Sequence, residues 1–339
     1  MSRYTDAGVD RGRAQAAVAR VAELAATTHN PSVLEAIGPF AAVWKLGANL
    51  PADAVLVSST DSVGTKSKVA VAVGRHQGIG QDIVNHCVND VLTTGADPLF
   101  FLDYFASGRI EANVLEQLAE GMVEACRANG CALVGGETAE MPGVYGIGDY
   151  DLAGFLVGMT SASAVLGPAR VQAGDRLLAL PSTGLHTNGY SLVRHLLAER
   201  ELEYDTQLPG TSGPIGELLL AVHASYLDPV RALRARGEVH ALAHITGGGI
   251  IENLPRVLPP EMAGVVDRQA WQVPAIFTAL QELGDIPEDE LWSSFNMGVG
   301  MIAVVPPATV TAAAQLLAFG FFEIGYVAER QGPDRVLLR

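Results

Sequence analysis

One pattern limits the possible folds more than any other: short apolar runs with strand character repeatedly give way to polar loops and then to helical periodicities. Ala54-Val-Leu-Val-Ser-Ser59 leads into the polar turn Thr60-Asp-Ser-Val-Gly-Thr-Lys66, and Val69 to Val73 resumes strand character. Ile79 to Thr94 places Ile79, Ile83, Cys87 and Val91 on one helical face. Pro98 to Phe105 reads as an apolar strand, and Glu111 to Asn129 as a helix stopped by Gly130. Cys131 to Val134 reads as a short buried strand running into Gly135-Gly-Glu137, and Tyr150 to Thr160 as a further strand. The grammar returns at Arg176 to Leu180, with a Gly/Ser/Thr/Asn loop and a helix from about Gly189. It returns again at Ala241 to Ile245, with Thr246-Gly-Gly-Gly249 and a helix from Ile250. Such alternation specifies an α/β or α+β protein.

With 339 residues the chain is long enough for two domains. The turn-forming stretch Leu166-Gly-Pro-Ala-Arg-Val-Gln-Ala-Gly174 sets the boundary near residue 165, giving domains 1–165 and 166–339. An N-terminal arm, Tyr4 to Asp10, precedes a first amphipathic helix carrying Ala14, Val18, Val21 and Ala25. Leu202 to Pro214 reads as a loop. Leu291 to Phe322 carries no charge and is long enough to mimic a membrane span, but Ser293-Ser294, Asn296 and Pro306-Pro307 divide it into a buried strand and a following helix.

Composition narrows function. Hydrophobic residues at 49% with charged residues at 17% exclude disorder. A net charge of −15, from 37 acids against 22 bases, argues against nucleic acid and anionic membrane as partners. Cys87, Cys126 and Cys131 form no CxxC pair, and no secretory signal is visible, so the expected compartment is the cytoplasm. There is no G-x-S-x-G elbow and no HExxH helix.

Three acidic clusters each adjoin a hydrophobic element. The loop after Ser59 offers Asp61, Gly64, Thr65 and Lys66, and Lys66 is one of only three lysines. Mg²⁺ takes one or two carboxylates and fills its remaining positions with water and phosphate oxygens, so a single Asp per loop suits a Mg-nucleotide. On the helix from Ile79, Asp82, His86 and Asp90 recur four apart on the face opposite the apolar stripe. Asp82 and His86 read as ordinary solvent-face residues, and Asp90, in the last turns, as a second metal ligand. Gly135-Gly-Glu-Thr-Ala-Glu140 follows a buried strand. Its glycines permit close backbone approach, and Glu137 and Glu140 could hold metal or orient a water. In the second half, Ser182-Thr-Gly-Leu-His-Thr-Asn-Gly189 and Thr246-Gly247-Gly248-Gly249 each precede a helix, where free N–H groups favour an anion. His186 and His244 flank these loops.

The ordered set of these segments resembles the AIR synthetase family of phosphoribosylformylglycinamidine cyclo-ligases. The matching blocks are Tyr4 to Asp10, Ser59 to Lys66, Val88-Asn-Asp90 with Gly95 to Tyr104, Leu133 to Gly143, His186 to Arg194, His244 to Asn253 and Phe295 to Met301. The resemblance implies a two-domain subunit. Its N-terminal α/β domain would bind Mg-ATP and contribute strands to a barrel across a homodimer, and a C-terminal α/β domain would complete the active-site cleft. It implies ATP-dependent ring closure of formylglycinamidine ribonucleotide, with Asp61, Asp90 and Glu137 as Mg²⁺–ATP carboxylates and Lys66 as a phosphate contact. His186 and Asn188 would lie near the reacting phosphate or amide, and Asp103 would either touch substrate or serve a structural role at its strand end. Thr246 to Gly249 is assigned to the ribose phosphate from helix-end physics.

Four positions depart from the family pattern: Ser62 stands where Gly is usual, Ser293-Ser294 where Arg-Thr is frequent, and Ala22 where some members carry Lys. Relatives sharing the ATP scaffold (selenophosphate synthetases, thiamine-phosphate kinases and hydrogenase-maturation proteins) remain alternatives, as does an ATP-binding regulatory subunit without chemistry. The blocks Leu133 to Gly143 and Phe100-Phe-Leu-Asp-Tyr104 favour the cyclo-ligases.

Overall fold

A computed structural model describes residues 11–48, 50–313 and 320–339, so the arm Tyr4 to Asp10 lies outside the described residues. The chain forms two compact units, Met1–Val91 with Asp97–Ser163, and Leu92–Ala96 with Ala164–Arg339.

In the first unit, α1 (Arg11–Ala26) precedes a small antiparallel pair, β1 (Val33–Glu35) and β2 (Val43–Trp44). There follow β3 (Ala54–Ser62), α2 (Lys66–Val73), α3 (Gln77–Leu92), β4 (Asp97–Ser107), α4 (Ala112–Asn129), β5 (Ala132–Glu140) and β6 (Tyr150–Ser161). The four-stranded sheet has the order β3-β6-β4-β5. β6 lies antiparallel to both β3 and β4, whereas β4 and β5 run parallel, as a crossover through α4 requires.

One face of this sheet is covered. Leu152, Leu156, Phe101 and Phe105 are buried, and a side chain at Gly154 would overlap the Phe101 ring and Ile83 of α3. On the other face Leu56, Phe155 and Tyr104 remain 64%, 43% and 38% exposed. Helices α3 and α4 approach backbone to backbone. A Cβ on Gly80 would overlap the Leu118 carbonyl, and one on Gly121 the Gln77 carbonyl.

Four local expectations change. Val69 to Val73 is helix rather than strand. Gly64 turns the chain at φ +54°, Val69 and Ala70 are fully buried, and Gly74 caps α2 in the left-handed region, so packing and capping override the β-branched preference. Asp61 lies within β3 rather than in a loop, and Glu137 and Glu140 lie within β5 because ladder pairing with β4 continues to Glu140. Asp82 and His86 are buried rather than solvent-facing, as are Asn85 and Asn89, so α3 is enclosed on all sides from Asp82 to Asn89. What allows this is pairing of its polar groups, including an Asn129 Nδ2 to Asn85 Oδ1 hydrogen bond of 2.8 Å.

The second unit contains β7 (Arg176–Pro181), α5 (Tyr190–Glu199), α6 (Ile215–Leu219), α7 (Leu227–Arg234), β8 (Ala241–His244) and α8 (Gly249–Asn253). These are followed by β9 (Met262–Val266), α9 (Ala275–Gly284), α10 (Glu288–Ser294), β10 (Val299–Val305), α11 (Pro307–Ala313), β11 (Phe322–Glu329) and β12 (Val336–Leu338). Its six-stranded sheet has the order β12-β9-β11-β7-β10-β8, antiparallel except for β12 against β9. Strand β10 is buried along its whole length, consistent with an interior position in the sheet. The uncharged stretch from Leu291 includes β10 and α11, and among the described residues no helix is long and apolar enough to cross a membrane.

Candidate functional site

The first unit gathers acids along one cross-strand row. Asp61 pairs with Gly154, Gly154 with Asp103, and Asp103 with Gly136, so two carboxylates alternate with two glycines on one face of the sheet. Both glycines are needed for space. Gly154 leaves room for Phe101 and Ile83, and a Cβ on Gly136 would overlap the Asp103 carboxylate. Burial pushes the Asp103 carboxyl up to about 7; the Glu137 charge adds to this and a backbone hydrogen bond opposes it.

Asp61 and Asp90 converge from β3 and α3. Asp61 Oδ2 lies 2.7 Å from His86 Nε2, and Asp61 Oδ1 accepts the Ser62 N–H at 2.7 Å. Ser59, two residues before Asp61 on the same side of β3, donates to Asp90 Oδ2 at 2.9 Å. A His86 ring nitrogen and an Asp90 oxygen lie within 4.8 Å of each other. Glu137 is exposed on β5 opposite Tyr104. At the usual strand spacing β5 is roughly 14 Å from β3, farther than the ligands of one ion reach. The three expected metal acids therefore form two stations, Asp61 with Asp90 and Glu137 alone.

Lys66 corrects a sequence expectation. It begins α2 and is wholly buried, with Nζ 2.7 Å from Asp82 Oδ2, which is equally buried. Burial lowers its pKa, and the Asp82 charge works against that shift. A lysine enclosed in this way ties α2 to α3 and does not reach out as a phosphate contact. Gly64 and Thr65 form the turn that leads into it, and the Gly64 carbonyl accepts the Ser67 hydroxyl at 2.9 Å.

In the second unit the loops Ser182–Gly189 and Thr246–Gly249 come together, since a Cβ on Gly247 would touch Asn188 Oδ1 at 3.4 Å. Ser182 Oγ donates to Gly184 O, and Asn296 Nδ2 donates to the same carbonyl, both at 2.9 Å. His186 sits at φ +60° and is buried; its Nε2 accepts the Thr183 N–H at 3.1 Å. The ring stacks on His223 with centroids 4.0 Å apart. His223 Nε2 lies 3.0 Å from His244 Nε2, so one of the two nitrogens carries the shared hydrogen. Tyr226 donates to Pro181 O at 2.8 Å, and a Cβ on Gly300 would overlap its hydroxyl.

The helix-end argument for Thr246–Gly249 gives way, because α8 is only five residues long and continues as the 3₁₀ turn Leu254–Val257. The loop is shaped instead by Asn253, whose Nδ2 donates to the carbonyls of Gly247 at 3.0 Å and Gly249 at 2.9 Å. Sequence reasoning missed His223 and Tyr226. The available signal was a histidine directly following the apolar run Leu218 to Val222, three residues before a tyrosine.

Comparison with known proteins matches this architecture in two parts. Residues 38–160 match the family description "AIR synthase related protein, N-terminal domain", and residues 172–337 match "AIR synthase related protein, C-terminal domain". A phosphoribosylformylglycinamidine cyclo-ligase from Synechococcus sp. (strain JA-2-3B'a(2-13)) is 46% identical over 340 residues, covering 98% of this chain and 96% of that protein. One from Nitrosococcus oceani is 45% identical over 314 residues, covering 93% and 87%. Among solved structures, thiamine-monophosphate kinase from Stenotrophomonas maltophilia K279a superposes with a TM-score of 0.69 at 19% identity, covering 94% of each chain. The hydrogenase maturation protein HypE in complex with ATP gives 0.67 at 20% identity, covering 93% and 88%. These two share the fold. From the identity along nearly its whole length, the chain belongs to the phosphoribosylformylglycinamidine cyclo-ligase family, within the AIR synthase-related proteins.

Proposed function

We propose that the chain closes the imidazole ring of formylglycinamidine ribonucleotide at the expense of ATP, giving 5-aminoimidazole ribonucleotide, ADP and phosphate in de novo purine biosynthesis. The observation that carries this reading is the 43% to 50% identity to cyclo-ligases over most of the chain. A formamide carbonyl is a poor electrophile, and its oxygen is a poor leaving group. Transfer of the γ-phosphoryl group to that oxygen releases ADP. The amidine nitrogen then attacks the activated carbon, the C–O bond breaks, and phosphate departs with the oxygen. Catalysis of such steps is mainly positioning and charge neutralisation.

Asp61 and Asp90 offer the convergent hard oxygen donors that Mg²⁺ selects, so they fit a Mg-nucleotide, with Glu137 as a second station along the sheet. Mg²⁺ would neutralise phosphate charge there. Gly64, Thr65, Gly135 and Gly136 are assigned to the nucleotide, and Lys66 acts through Asp82 as a structural cation. His186 and Asn188 serve the reacting phosphate or amide and Asp103 the substrate; Thr246, Gly247, Gly248 and Gly249 are assigned to its ribose phosphate because Gly247 adjoins Asn188, not because of a helix end. In this reading domain 1–165 holds the nucleotide, and domain 166–339 carries His186 and Asn188. The exposed face bearing Leu56, Tyr104 and Phe155 supports a homodimer with a shared barrel. Three free, buried cysteines suit a cytoplasmic location.

The deciding experiment measures ADP and aminoimidazole together, with Mg-ATP and with or without formylglycinamidine ribonucleotide. One ADP per aminoimidazole is expected. ADP formation without aminoimidazole would move the chain to another acceptor, and tight ATP binding with neither product would indicate a regulatory role. Sedimentation of Phe155→Asp tests the dimer: a monomer is expected, and an unchanged sedimentation coefficient would count against this face.

A further inference from the structure

We propose that His86 is a positioning residue for the metal carboxylate Asp61, holding it from the buried side so that its remaining lone pairs face the cation. The inference rests on the Mg-nucleotide reading of Asp61 and Asp90.

On α3, Asp82, His86 and Asp90 are spaced four apart and stack along one face. Each belongs to a donor–carboxylate pair: Lys66 with Asp82, His86 with Asp61, and Ser59 with Asp90. The His86–Asp61 pair is asymmetric in exposure, with the imidazole side chain 5% exposed and the carboxylate 35%. The donor therefore lies behind the acid, and the acid's open side faces solvent. An ionised carboxylate only accepts, so His86 Nε2 carries the hydrogen, which the neutral Nε2–H tautomer already provides. Ser62 N–H holds the other oxygen. A carboxylate has about four lone-pair sites, so two bonds fix its plane and leave sites for a cation. The 2.7 Å separation is that of a charge-assisted hydrogen bond. Partners that orient a ligating side chain in this way typically matter about 10–100-fold in metal affinity.

The test uses the full chain and Mn²⁺ alone, with free ion followed by its EPR signal. His86→Met keeps the volume and removes the donor; His86→Gln keeps an N–H donor. The expected result is a 10–100-fold weaker Mn²⁺ affinity for His86→Met and recovery to within a few-fold of the unaltered protein for His86→Gln. Bound Mn²⁺ in the unaltered protein should show no directly coordinated ¹⁴N in its pulsed EPR spectrum. Unchanged affinity in His86→Met would overturn the proposal. So would a ¹⁴N coupling that disappears in His86→Gln, which would make His86 a ligand. Should His86→Met not fold, His86→Gln and the pulsed EPR spectrum still decide the matter. Asp61→Asn separates the two levels. If it loses Mn²⁺ while His86→Met does not, only the positioning role falls; if it binds Mn²⁺ like the unaltered protein, the metal reading falls as well.

Discussion

The two units build their polar clusters by different means. In the first, charged groups sit on regular elements and are neutralised pairwise: Lys66 on α2 against Asp82 on α3, and His86 on α3 against Asp61 on β3. In the second, His186 and Asn188 sit on loops, and the contacts described around them are a stacked imidazole pair, a nitrogen-to-nitrogen hydrogen bond, and glycines that clear space. A buried charge left without its partner is far more costly than a lost neutral hydrogen bond. The first cluster is therefore rigid and brittle, and the second tolerates change better.

The largest expected effect breaks that contrast at its base. Lys66→Met leaves Asp82 buried and uncompensated and should cost about 3–5 kcal/mol in urea unfolding. Adding Asp82→Leu should restore most of the loss. In the second unit His223→Leu removes an imidazole-to-imidazole hydrogen bond and a stacked ring, and about 1–3 kcal/mol is expected. If His223→Leu proved as costly as Lys66→Met, the distinction between the clusters would fail.

A paired glycine experiment sharpens the picture within the first unit. Gly136→Ala drives a methyl group into the Asp103 carboxylate and backbone and should cost about 1–3 kcal/mol. Gly135→Ala meets only Leu102 Cδ2 at 3.3 Å, and its effect should stay within about 0.5 kcal/mol.

The smallest effect is a pH dependence. Asp103 titrates near 7 in the folded chain, above its ordinary value of 3.8, so between these values the folded state binds more protons than the unfolded one. Its contribution to stability is complete below about pH 4 and declines as pH rises toward 7. In metal-free protein, urea midpoints measured from pH 4 to 7 should be flatter for Asp103→Asn than for the unaltered chain.

Strand and helix alternation was legible because periodicity reports which residues face a core. That Asp61 and Asp90 lie near each other could be anticipated because each adjoins an apolar run, whereas the separation of Glu137 from them could not. What could not be read was pairing between distant segments. The charge on Asp82 suggests solvent until Lys66, sixteen positions earlier, is known to meet it. Helix α2 was read as a strand because Val alternates with Ala there, and its helical state comes from burial and from the Gly74 cap. His223 escaped notice because stacking on His186 leaves no spacing signature.

The crossing of α3 and α4 at Gly80 and Gly121 has a mechanical consequence. With no side chains between the two backbones, neither helix can slide past the other without main-chain collision. The helix that carries His86 and Asp90 therefore moves only as one body with α4, the crossover between β4 and β5. Amide hydrogens at this crossing should exchange through global opening alone, making it the last part of the first unit to lose protection.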